Sequence, residues 1–115
     1  MIKSFSAAIS GLIHIVKSER NLKIHIAVFC LVLILGFYFE IAPWEWVSVL
    51  IVSALVMCLE ILNSSIEKLS DFVEPNTNQK IKIIKDTAAA AVLVAAAIAF
   101  IVGILIFYPY FFTQE

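Results

Sequence analysis

The sequence predicts an all-α integral membrane protein: three transmembrane helices plus an N-terminal amphipathic surface helix, in a single domain over residues 1–115. Three observations predict it. The chain is 63% hydrophobic and 15% charged, with a mean hydropathy of +1.03, too little polar surface for a soluble domain of this size. Three apolar segments approach the ~20 residues that a helix needs to cross a bilayer. The cations are also confined to two of the four flanking regions.

Residues 1–20 form the first element. Phe5, Ile9, Leu12 and Val16 recur at helical spacing, with Lys3, Ser6, Ser10 and Lys17 between them. That pattern fits a helix lying in the interface rather than crossing it. The spans follow at about 24–42, 46–62 and 87–108. Helices are required there because lipid offers no partner for a free backbone N–H or C=O. Pro43 lies in the link between the first two spans, and Trp44, Trp46, Tyr108 and Tyr110 mark span ends. The Ala-rich run 86–100, "DTAAAAVLVAAAIAF", suits close helix packing. No cleavable signal peptide is expected, since the first strong apolar run begins near Ile24 and no A-x-A-like site follows.

All eight Lys and Arg residues fall before the first span or between the second and third. The positive-inside rule therefore puts the N-terminus and the 68–86 loop in the cytoplasm and the C-terminus outside. Cys30 and Cys58 have neither zinc-finger nor CxxC spacing and are expected as small buried hydrophobes. Glu40 and Glu45, on the outer side, are expected to be solvated. The net charge of −1 predicts no partner, and no nucleic-acid partner is expected.

The polar residues inside this apolar frame point to chemistry. In "LEILNSSIEKLSD" (59–71), Glu60, Asn63, Ser64, Glu67 and Asp71 share one helical arc of about 100°. The stripe starts inside the second span and runs about 16 Å toward the cytoplasm. A charged side chain at mid-span costs ~2.5–3.5 kcal/mol on insertion scales, so Glu60 needs a reason to be there. A second polar group, "SERNLKIH", precedes the first span with Glu19, Arg20, Asn21, Lys23 and His25; a third, Lys85 and Asp86, opens the last span. All three groups meet the same face. Carboxylates with a lysine at a membrane surface suit phosphate and Mg²⁺. With only Gly11, Gly36 and Gly103, the chain has neither a P-loop nor a G-x-G-x-x-G. His14 is expected in the interface and His25 to hydrogen-bond locally or snorkel; neither is assigned to chemistry.

"ERNLKIH" (19–25), "EILNSSIEKLSD" (60–71) and "KDTAAAAV" (85–92), in this order on three short spans, resemble the prokaryotic diacylglycerol kinase family, which includes undecaprenol kinases. The "ERN" form is nearer the undecaprenol-kinase branch. The resemblance implies a homotrimer in the bacterial inner membrane, with active sites shared between subunits at the cytoplasmic interface. It implies transfer of the γ-phosphoryl of MgATP to a lipid hydroxyl, of diacylglycerol or of undecaprenol. By motif, Glu60 is then the general base, supported by Asn63. Glu19 and Glu67 hold Mg²⁺ with the ATP phosphates, Lys85 and Asp86 contact the nucleotide, and Asp71 assists. Many relatives carry E-x-H after the second span. Asn76 and Asn78 stand there in this chain, so no nucleotide contact from that loop is carried over.

Two other readings compete. A small oligomeric transporter would use Glu60 as a proton- or cation-binding site, with the carboxylate near mid-bilayer and no need for Glu19, Lys85 or Asp86. A non-catalytic assembly subunit would leave the polar stripe unexplained.

Overall fold

The computed structural model describes residues 1–113, which form four helices: α1 (Ile2–Ser18), α2 (Arg20–Phe39), α3 (Pro43–Val73) and α4 (Gln79–Phe112). The last three are long and apolar enough to cross a membrane. α3 and α4 pack against each other most extensively, and α2 joins them through α3.

The α1–α2 elbow falls on Glu19, whose backbone is extended (φ −107°, ψ 116°). Its N–H donates to the Ile15 carbonyl at 2.9 Å, closing α1. No Gly or Pro marks this break in the sequence. Most of α1 is exposed, Ile15 being its one buried residue.

α2 ends at Phe39, three residues before the expected end of the first span at 42. Glu40 adopts a left-handed conformation (φ 51°), and the Ile41 N–H reaches back to the Gly36 carbonyl at 3.2 Å. This helix-ending turn usually takes glycine at its left-handed position. Pro43 then holds Ala42 extended (φ −66°, ψ 154°) and begins α3 at the position where its missing N–H costs nothing.

At the other face the helices outrun the expected spans. α3 continues to Val73, eleven residues past 62, and α4 begins at Gln79, eight before 87. The segment expected as a loop over 68–86 is thus mostly helix, and only 74–78 lies outside it. A hydropathy boundary marks where lipid ends, and a helix can continue through water. At ~1.5 Å per residue α4 is about 51 Å long, well beyond a hydrocarbon core of ~30 Å. Asn78 caps it, its Oδ1 accepting from the Lys80 and Ile81 N–H groups at 2.9 and 3.2 Å. Asn78 therefore serves as a helix cap.

The core lies at the end opposite the polar stripe, where Phe39, Ile41, Val49, Ile106 and Phe107 are buried together. Trp46 seats its indole on Gly36, which an added Cβ would bring within 2.5 Å of Trp46 Cη2. Gly36→Ala should destabilise the fold by about 1–3 kcal/mol through overpacking, read as a lower melting temperature in detergent. An unchanged melt would mean that the indole moves aside freely.

Two expectations fail at this level. Glu45 is buried, 7% exposed, rather than solvated: its Oε1 accepts from the Ala42 N–H at 2.9 Å and from the Tyr110 hydroxyl. The start of α3 needs an acceptor for its free N–H groups, and α4 covers that acceptor. Cys30 and Cys58 are free and exposed, because they face away from the chain's own core.

The apolar surface is not covered within one chain. Only 17%, 28% and 17% of the most apolar windows of α2, α3 and α4 are buried, so lipid or further protein must cover the rest. An apolar groove of about 560 Å³ runs between these helices, from His25 at one end to Tyr108 and Phe111 at the other.

Candidate active site

The polar stripe of α3 is graded by depth. Glu60 is 4% exposed and Asn63 is 8% exposed, while Glu67 and Asp71, one to two turns further on, are exposed. Ser64 and Ser70 are buried on the same side. Helical periodicity accounts for the grading: residues 60, 63, 64 and 70 turn toward α2 and α4, and the last turns pass beyond their cover.

Glu60 has one titratable neighbour among the described residues. His25 Nε2 of α2 stands 3.8 Å from Glu60 Oε2, with the His25 side chain 26% exposed and that of Glu60 5% exposed. This partner was missed by sequence reasoning, which left His25 to local hydrogen bonding. A signal existed: residues 22, 25, 29, 32, 36 and 39 form the inward stripe of α2, and His25 is the one titratable group on it. One turn along α3, Asn63 Oδ1 is buried without a hydrogen-bond partner among the described residues. A buried acceptor left unmatched costs ~1–3 kcal/mol. It is a natural place for a donor on a bound molecule.

Glu19, at the α1–α2 elbow, lies 3.6 Å from Lys68 Nζ. Lys68 follows Glu67, so Glu19 stands beside the turn of α3 that carries Glu67. No group of three or more metal-ligating side chains forms among the described residues. Magnesium commonly takes one or two protein carboxylates and completes its shell with water and phosphate oxygens. The hard oxygen donors of Glu19 and Glu67 fit that demand, and Glu67 has no ion-pair partner among the described residues.

On α4, Lys85 Nζ donates to Asp71 Oδ1 at 2.7 Å, and Lys82 Nζ donates to Asp86 Oδ2 at 2.7 Å. The hydrogen bond to Asp71 raises the Lys85 ammonium above its ordinary value; desolvation works against it, and the charges of Asp71, Glu67 and Asp86 add to it. Lys85 therefore carries its positive charge at any physiological pH. Glu67, Asp71, Lys85 and Asp86 form one charged cluster between the projecting ends of α3 and α4. The pairing of Lys82 with Asp86 was not anticipated.

Residues 6–107 match the family described as prokaryotic diacylglycerol kinase. The chain belongs to that family. The kinase is 39% identical over 107 residues to an undecaprenol kinase of Bacillus subtilis, covering 93% of this chain and 87% of that one. It is 34% identical over 104 residues to a diacylglycerol kinase of Synechocystis sp., covering 90% of this chain and 59% of the relative's length. The family and the three apolar helices make it a multi-pass membrane lipid kinase.

The transporter reading does not survive these findings. Glu60 of the kinase lies about 26 Å along α3 from Pro43, toward the far side of a ~30 Å hydrocarbon core rather than at its middle. The cluster beyond it also has no place in that reading.

Proposed function

We propose that this kinase moves the γ-phosphoryl of MgATP to the hydroxyl of a membrane lipid alcohol, undecaprenol in preference to diacylglycerol, at the cytoplasmic face of the bacterial inner membrane. One observation carries the site: a buried carboxylate and a buried amide oxygen unmatched among the described residues, one helical turn apart, stand between an apolar groove and a charged cluster. The "ERN" form and the undecaprenol kinase relative favour the polyprenol acceptor.

Phosphoryl transfer asks little covalent chemistry of a protein; it needs alignment and charge neutralisation. Glu60 accepts the proton of the lipid hydroxyl as its oxygen attacks phosphorus. Asn63 orients the attacking group. Lys85 leaves Asp71 for the phosphate oxygens, as a point charge on the nucleotide, and Asp86 and Asp71 position it. Glu19 and Glu67 would hold Mg²⁺, which when bound neutralises charge on the β- and γ-phosphates. Glu67 lies about 10 Å from Glu60 along the axis, which separates nucleotide from acceptor by a workable step.

The kinase acts as a homotrimer with sites shared between subunits, a reading that the uncovered apolar faces of α2–α4 support. The cation distribution supports a cytoplasmic N-terminus and 68–86 segment, with the C-terminus outside. α1 lies in the interface as an amphipathic surface helix; Phe5, Ile9 and Leu12, at 69%, 42% and 47% exposure, are available to lipid.

The test is direct. The purified chain in lipid receives Mg²⁺ and ATP labelled on the γ-phosphate, with undecaprenol and diacylglycerol offered separately. Label should pass into the lipid phase with both acceptors and faster with undecaprenol. Absence of label from both lipids would end the reading.

A further inference from the structure

The proton that Glu60 takes from the lipid must leave a nearly closed site once per turnover. Glu60 is 4% exposed and cannot pass it to bulk water directly. Across the helix interface, α4 carries no titratable side chain between Asp86 and Tyr108; it offers alanines there. On α3 the nearest polar groups, Asn63 and Ser64, do not titrate near neutral pH. On α1, His14 lines a separate groove with Ile61 and Ser65. His25 remains. Its Nε2 lies 3.8 Å from Glu60 Oε2, and its side chain is 26% exposed, so the ring spans from the buried carboxylate toward the surface of the chain. It also stands at the head of the apolar groove, where a lipid hydroxyl would arrive.

We propose that His25 is the proton exit of the site, receiving at Nε2 the proton that Glu60 has taken and releasing one from Nδ1 to water. The inference rests on Glu60 being the base. The balance is simple. The lipid O–H bond breaks as the oxygen bonds to phosphorus, and its proton moves to the Glu60 carboxylate. It then passes to His25 Nε2 and an equivalent proton leaves Nδ1, which restores the Glu60 carboxylate and leaves a neutral imidazole protonated on Nε2; a turn of the ring or proton exchange with water restores the Nδ1–H form for the next turnover. A 3.8 Å separation exceeds hydrogen-bond length, but such contacts are often long without substrate and tighten when it binds. Imidazole suits the task because it gains and loses protons near neutral pH and has two separate nitrogens for the two transfers. Before the transfer, the same ring faces the carboxylate and biases its orientation.

Three measurements test this on the purified chain in bilayers, with MgATP and the better acceptor of the labelled-ATP assay. His25→Gln should lower kcat at least about tenfold, the low side of what acid–base groups contribute, with KM for ATP unchanged. In His25→Ala, added imidazole should restore part of kcat, which a purely packing role would not allow. The ¹⁵N signals of the His25 ring should move when Glu60 is changed to Gln while those of His14, the other histidine, stay put. Wild-type kcat in His25→Gln, or loss in His25→Ala that imidazole does not repair, overturns the relay and leaves Glu60 as base. Unmoved His25 signals also overturn it. Full activity in Glu60→Gln removes the base and the relay together.

Discussion

Glu60→Gln should lower phosphoryl transfer at least about a hundredfold, the usual contribution of a positioned base, while the protein stays folded. The substitution keeps the volume of the side chain and removes its ability to accept a proton. Among the described residues the one titratable partner beside it is His25, which in the relay proposed above takes up the proton only from the Glu60 carboxylate. Asn63, one turn away, has no basic group, and Glu67 lies about 10 Å off along the axis. α4 carries no titratable side chain between Asp86 and Tyr108. The fold should tolerate the change because a buried charge with one partner at 3.8 Å is costly to keep. The melting temperature should therefore hold or rise as activity falls. Labelled ATP and a thermal melt on the same preparation check both halves. Turnover near wild type would remove Glu60 as the base, and a collapsed melt would assign it to the fold instead.

In Glu67→Gln, the Mg²⁺ concentration that gives half-maximal rate should rise at least about tenfold, as expected when a metal loses part of its oxygen shell. Glu67 is exposed and has no ion-pair partner among the described residues, so stability should not change. The acceptor's KM should also stay constant, since the proposed reaction brings the lipid hydroxyl to Glu60. A Mg²⁺ titration at saturating ATP, repeated at several lipid concentrations, separates the two. An unaltered Mg²⁺ curve would take Glu67 out of the metal's shell and leave Glu19 with a different partner.

Much of the candidate site's arrangement was legible because it is written on one helix. Glu60, Asn63, Glu67 and Asp71 share a face by periodicity alone, and their grading from buried to exposed follows the direction of the chain. Residues whose roles depend on another helix were not legible. His25 reads as an ordinary span-start histidine until α2 and α3 are packed and its ring faces Glu60. Glu45 reads as a solvated acid until Tyr110, 65 residues away, closes over it. Asn78 reads as a loop residue until α4 is seen to begin there. Hydropathy also could not mark where α3 ends and α4 begins, because it reports where lipid stops.

Composition, helical period and the placement of cations were enough to establish an all-helical chain with three long apolar helices and a polar stripe at one face. These properties depend on single residues or on neighbours along one helix. The pairings across helices, His25 with Glu60, Glu19 with Lys68 and Lys85 with Asp71, came from packing. So did the burial of Glu45 and the seat of Trp46 on Gly36. Each depends on the rotation and depth of one helix against another, and interhelical contacts set those across distances that a linear pattern does not encode.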